Sequence, residues 1–395
     1  MNGQCRRASG CRLNALGPVC CGTGSVSRFC RGSLRAAISR FRPLLKYSGV
    51  LMVLLAATYA VLVLAYNPEQ DNVNGPVSDR WQGDTVAWNL NPAIGSNVNV
   101  SGGDSIQIAL TKSFNSWKAT ELNGQLLTSL AVNQGPNSSL TDPNFQDCLN
   151  VVSFVPSSSV NFPTGTIAFT QVASVSASGG AAPFTYNCAG QSTPRRCDFP
   201  ACIADADIVF NPRENFSTTT PPLAGDFDVQ SVATHEIGHM LGLDHSGIAS
   251  TVMDPFGDTG SSQQRNLALD DTIGIAFLYP AAGFSTSTGI ISGAITQNGT
   301  GIFGSHVVAV NVANGVATVD GLTDPQGNYS LVGIPPGAYT VLAIPLSGVY
   351  DMSNFGGWYC GYSPNSQPCC NPSTDTSCSS TQALPNPTNY TGKFY

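Results

Sequence analysis

The 395-residue chain predicts an α+β domain followed by a small all-β module, with one hydrophobic helix near the N-terminus. Three observations carry this expectation. Strand-like and helix-like segments are interspersed between Arg80 and Tyr279, short strands recur every eight to twelve residues from Gly289 to Ile344, and 18 uncharged residues run from Gly49 to Tyr66.

Residues 1–48 form a basic arm of low complexity, expected to stay disordered. It holds nine Lys or Arg and no Asp or Glu, whereas residues 67–395 carry eight basic and 24 acidic side chains. The formal net charge of −7 thus conceals two opposite halves. Arg35, Arg40, Arg42 and Lys46 precede Gly49 to Tyr66, GVLMVLLAATYAVLVLAY, and by the positive-inside rule leave the C-terminal part outside the cytoplasm. Segment 49–66 reads as an uncleaved transmembrane signal-anchor, or as the hydrophobic region of a signal peptide cleaved near Ala65. The acidic exported part repels phosphate, which excludes nucleic acid as a partner.

Residues 67–79 read as a linker. Arg80 to Pro92, RWQGDTVAWNLNP, alternates as a strand, and Ile106 to Leu122 spaces Ile106, Leu110, Phe114 and Trp117 as a helix does. Ala206 to Asn211, ADIVFN, is a short buried strand, and Leu267 to Tyr279 is a helix with Asp270 and Asp271 in its first turns. Between the first helix and the buried strand, the Ser/Gly/Asn-rich insert Gly124 to Ala204 has no readable course. Five cysteines (Cys5, Cys11, Cys20, Cys21, Cys30) precede the hydrophobic run and suit a reducing cytoplasm. Cys148, Cys188, Cys197 and Cys202 form one exported set, Cys360, Cys369, Cys370 and Cys378 another. Even counts on the exported side read as disulfides, with three connectivities open to each set.

Eleven residues, His235 to His245, read HEIGHMLGLDH and hold three of the four histidines. Residues four apart share one helix face, so His235 and His239 aim at one point. Gly242 can end the helix in a left-handed turn, which brings His245 back as a third ligand. A catalytic zinc takes three protein ligands and leaves a position for water, and Glu236 stands where a general base for that water is needed.

This segment resembles the long zinc motif of the metzincin peptidases, HExxHxxGxxH followed by a Met-turn. Met253, eight residues beyond His245, and the His-Ser step after the third ligand are similar to the matrixin branch, whose members are matrix-metalloprotease-like. The resemblance covers about residues 80–280 and implies a twisted mixed sheet with an active-site helix and a C-terminal helix. It further implies zinc-dependent endopeptidase activity on extracellular proteins or peptides, with Met253 as an apolar floor beneath the ligands. One catalytic Zn²⁺ is expected, because the fourth histidine, His306, lies outside the domain; Ca²⁺ stays open without a readable motif. No cysteine lies between Tyr66 and Asp147, and the 14 residues from Asn67 to Arg80 are too few for a folded prodomain, so a cysteine latch is not expected. Two rivals remain: a catalytically inactive surface adhesion or binding protein on the same fold, and a zinc hydrolase acting on a non-peptide bond.

Residues 281–287, from AAGFSTST, read as a linker. Strands follow at Gly289–Thr296, His306–Val312, Ala317–Leu322, Tyr329–Val332 and Ala338–Ile344, the rhythm of a β-sandwich over 288–346. Thr323 to Pro345, TDPQGNYSLVGIPPGAYTVLAIP, resembles the carboxypeptidase-regulatory-like, or transthyretin-like, module. The Cys-containing tail, 347–395, offers no functional reading.

Overall fold

A computed structural model describes residues 67–72, 76–118, 120–175, 183–346, 350, 352–355 and 390–394. The basic arm, the hydrophobic run 49–66 and the tail cysteines lie outside the described residues. Among the described residues no helix is long and apolar enough to cross a membrane.

The chain opens with a hairpin of β1 (Gln70–Asn72) and β2 (Pro76–Ser78), where a linker was expected. The difference has a physical cause. Pro68 bridges to Leu243, the Glu69 N–H donates to the Gly242 carbonyl (2.9 Å), and the Asp244 N–H donates to the Asn67 carbonyl (2.7 Å). The segment is thus tied down by backbone hydrogen bonds, which composition does not reveal.

The predicted strand from Arg80 divides into β3 (Arg80–Trp81) and β4 (Thr85–Leu90). Helix α1 (Ile106–Trp117) starts at Ser105, whose side chain accepts the Ile108 N–H. It stops at Trp117 rather than Leu122, because Asn123 and Gly124 adopt φ of +52° and +76° and turn residues 121–122 back onto 125–126. Then come β5 (Ala131–Gln134), β6 (Val151–Ser153), β7 (Ala168–Val175) and β8 (Cys202–Phe210). The sheet order is β7-β8-β6-β4-β5, with β3 also on β8; every pairing is parallel except β7 on β8. β8 is buried along its whole length, as the apolar run ADIVFN foretells.

Two more helices follow, α2 (Val229–Met240) and α3 (Leu269–Leu278). α1 and α2 pack together on one face of the sheet. Trp88 of β4 stacks on Phe114 of α1 at 4.2 Å, and Trp117 Nε1–H donates to the Thr234 carbonyl of α2 at 2.8 Å. The insert is stapled by Cys148–Cys188 and Cys197–Cys202, the connectivity that the sequence left open.

Residues 281–287 hold a short helix, α4 (Phe284–Ser287), in place of the expected linker, because the Phe284 side chain is buried. Beyond it lie β9 (Gly289–Ala294), β10 (Ser305–Asn311), β11 (Ala317–Leu322), β12 (Asn328–Ile334), β13 (Tyr339–Pro345) and β14 (Lys393–Phe394). β9 pairs with β12, and β11-β10-β13-β14 form a second antiparallel sheet. Val307, Val319, Leu331 and Val341 share one apolar core with Ile273 and Ile275 of α3, and α3 lies against β11 and β12. The C-terminal module is thus fused to the first domain through apolar burial.

Candidate metal centre

Helix α2 is anchored at both ends. At its start, Asp228 accepts the Ser231 N–H at 2.8 Å, a cap worth about 1 kcal/mol, and is held in turn by Arg265 at 2.6 Å. At its end, the Gly242 N–H donates to His239 O and the Leu243 N–H to Gly238 O, the paired bonds of a Schellman turn. Gly242 takes φ +100°, and a Cβ there would stand 2.1 Å from the Asp79 carbonyl oxygen. Only glycine meets both demands. The last carbonyls find partners as well: Trp81 Nε1–H donates to Met240 O and the Tyr279 hydroxyl to Leu241 O, each at 2.8 Å.

This turn carries His245 back to the helix. His239 Nε2 lies 3.2 Å from His235 Nε2 and 3.2 Å from His245 Nε2. Each Nδ1 faces a backbone carbonyl: Val252 O for His235 (2.7 Å), Leu243 O for His239 (2.8 Å) and Asn354 O for His245. A carbonyl only accepts, so each Nδ1 carries the proton and each Nε2 presents a lone pair. Three lone pairs meeting at one point repel unless a cation stands among them. Two nitrogens bound at 2.0–2.1 Å to a tetrahedral zinc stand about 3.3 Å apart, so the cluster fits that ion. Burial pushes His235 down to about 3 and His245 to about 4, with His239 also well below the usual histidine range. Neutral imidazole, the form that ligates, therefore prevails near pH 7.

Glu236 follows His235 and is buried. Burial raises its carboxyl to about 7, with the negative charge of Glu69 adding to the rise and a hydrogen bond from Thr170 opposing it. Thr170 Oγ1, on β7, is 2.7 Å from Glu236 Oε2 and 2.8 Å from the Glu236 carbonyl oxygen. Met253 is buried beside Gly238 of α2, where a Cβ would come within 2.2 Å of its sulfur. Ser246 N–H donates to the Met253 carbonyl at 2.9 Å, closing the loop between third histidine and methionine. Asp271 of α3 accepts the Val252 and Met253 N–H groups at 2.8 and 3.0 Å.

All the residues singled out by spacing, His235, Glu236, His239, Gly242, His245 and Met253, therefore occupy one locality. Sequence reasoning missed Glu69, whose Oε1 lies 3.8 Å from His239 Nδ1, along with Thr170, Asp271 and the Asn354 carbonyl. None of these has a spacing signal, since each arrives from a distant segment.

Residues 195–280 match the matrixin family model. Metalloendoproteinase 1 of Glycine max is 39% identical over 90 residues, covering 22% of this chain and 26% of its own. Metalloendoproteinase 2-MMP of Arabidopsis thaliana is 40% identical over 80 residues, 20% of each chain. Karilysin of Tannerella forsythia is 29% identical over 176 residues, 40% of this chain and 35% of its own. The chain thus spans a fifth to about a third of the length of these relatives. The match begins at residue 195, whereas the sheet that carries the site already begins at β3.

Proposed function

We infer that this chain is a zinc-dependent endopeptidase of matrixin type, with His235, His239 and His245 as ligands of one ion. The observation that carries the reading is the convergence of three Nε2 lone pairs beside a buried carboxyl group. Zinc bound there would polarise a peptide carbonyl and bring the pKa of a water towards neutrality.

Glu236 takes the proton of the attacking water and passes it to the leaving amide nitrogen as the C–N bond breaks. A carboxyl held at about 7 suits both halves of that transfer at neutral pH, and Thr170 keeps it turned towards β7. β7 is the antiparallel edge strand of its sheet, so an extended peptide can add alongside it through backbone hydrogen bonds. That favours unfolded or loop-presented protein segments as substrates.

The two disulfides support action in an oxidising compartment outside the cytoplasm, with the chain either anchored through residues 49–66 or released by cleavage near Ala65. N-terminal sequencing of the mature protein separates the two, since a terminus near Tyr66 belongs to the released form.

Casein cleavage by the full chain tests the activity. Cleavage should cease on chelation and return with zinc, while Glu236→Ala should keep its zinc and lose about 10²- to 10⁴-fold in rate. A Glu236→Ala variant as fast as the parent sinks the mechanism.

A further inference from the structure

The third-ligand loop is held from outside its own domain. Asp320 of β11 is fully buried, and its carboxylate turns out of the C-terminal module onto this loop. Asp320 Oδ2 accepts the Gly247 N–H at 2.7 Å, and Oδ1 accepts the Ser246 hydroxyl at 3.3 Å. His306 of β10 braces the same carboxylate, its Nε2–H donating to Oδ2 at 2.6 Å. The two side chains lie on one face of the β10–β11 pair, because the register matches His306 with Leu322 and Val308 with Asp320.

On the loop side the fit is tight. A Cβ at Gly247 would come within 2.6 Å of the His306 ring. Just beyond the module, the Asn354 carbonyl accepts the Nδ1–H of His245 itself, and Tyr350 donates its hydroxyl to Asp254 Oδ1 at 3.0 Å, one residue past Met253. Besides His306, the Asp320 carboxylate has partners outside its own module. Those outside partners are Ser246 and Gly247, the two residues that immediately follow His245.

We propose that the C-terminal module is part of the metal centre: Asp320, braced by His306, is a positioning residue that fixes the Ser246–Gly247 backbone and so aims His245. This rests on the zinc reading of the three histidines. A ligand whose orientation is fixed in advance loses less freedom on binding. Partners that hydrogen-bond a ligand directly are worth about 10- to 100-fold in metal affinity, and Asp320, acting through the next two residues, belongs at the lower end of that range.

The test is the zinc affinity of the full chain, measured by competition with a chelating dye, together with the visible spectrum of Co²⁺ at the site and the melting temperature of the metal-free protein. Asp320→Ala, which takes the acceptor from the Gly247 N–H and the His306 ring, should bind zinc about 10-fold more weakly and alter the Co²⁺ spectrum. Asp320→Asn, which keeps an oxygen towards Gly247 and His306, should recover most of the loss. A folded Asp320→Ala with affinity within about twofold of the parent and an unchanged spectrum overturns the proposal.

If Asp320→Ala does not fold, Ser246→Ala carries the test. It removes one of the hydrogen bonds and should weaken zinc about threefold, and parent-like affinity then overturns the proposal. His245→Ala is measured alongside: should it bind zinc as the parent does, the ligand assignment falls, and the positioning role falls with it. With a parent that binds tightly and a His245→Ala that does not, the affinity of the Asp320 variants alone decides the positioning role.

Discussion

Residues 235–253 and the segments that grip them meet at one place yet are built by different rules. The ligand segment makes its geometry locally, through a spacing of four on a helix, a glycine turn and a return. The gripping segments come from afar: Asn67 Nδ2–H donates to His245 O across 178 positions, Asp320 accepts from Gly247 across 73, and Asn354 accepts from His245 across 109. Local geometry brings the three Nε2 atoms together, and non-local contacts hold the rings and the loop that carry them. The first can be copied into many chains as a motif, whereas the second belongs to this fold.

The largest expected effect breaks the local half. His239 is the middle of the three histidines, 3.2 Å from both others, so on the zinc reading His239→Ala should cost more than about 10³-fold in peptide cleavage and lose its zinc. Metal content and cleavage rate read together check this, and retained zinc with retained activity would move the site elsewhere.

Gly242→Ala strikes where the two halves touch, because the new Cβ meets both a positive φ and the Asp79 carbonyl of the gripping segment. A loss of about 2–4 kcal/mol is expected from denaturant midpoints. A change below about 0.5 kcal/mol would mean that the 67–79 segment moves away freely.

The seam between α3 and the module should respond to pH. Burial first, then the charges of Asp320 and Asp271, raise the Asp270 carboxyl well above its usual range, while Asp320 donates its backbone N–H to Asp270 Oδ1 at 3.0 Å. A carboxyl raised in the folded state contributes stability that is complete below about pH 4 and declines as pH rises towards its folded value. Asp270→Asn keeps an acceptor oxygen without the charge, so it should melt higher relative to the parent at pH 8 than at pH 5. Equal differences at the two pH values would show that the seam carries no such strain.

Glu69→Gln should have the smallest effect. The Nδ1 proton of His239 already goes to Leu243 O at 2.8 Å, and the Glu69 carboxylate stands back at 3.8 Å, so zinc affinity should change less than about threefold. A tenfold loss by dye competition would place Glu69 among the groups that orient the ligand.

The same division explains what could be read from the sequence. The helix of HEIGHMLGLDH, its glycine turn, the buried strand ADIVFN and the recurrent strands after Gly289 are set by periodicity within a few residues, and they lie close to where the pattern places them. Residues 67–79 and 281–287 look like linkers because their order depends on Pro68 meeting Leu243 and on Phe284 being buried, facts of distant packing. His306 is a lone histidine in sequence, with nothing within a few residues to give it a purpose. Its partner Asp320 is 14 residues on, and their shared target lies in another domain. Disulfide connectivity was illegible for the same reason, since four cysteines carry no distances.

The bond from His245 Nδ1 to the Asn354 carbonyl also sets an order in time. A ribosome adding 5–20 residues per second needs roughly 5–20 s to travel the 109 positions between them. The nascent chain therefore exposes all three histidines well before the last of them has its full set of partners. A chain interrupted in that interval would carry the whole histidine motif without the Asn354 carbonyl that its last ring faces.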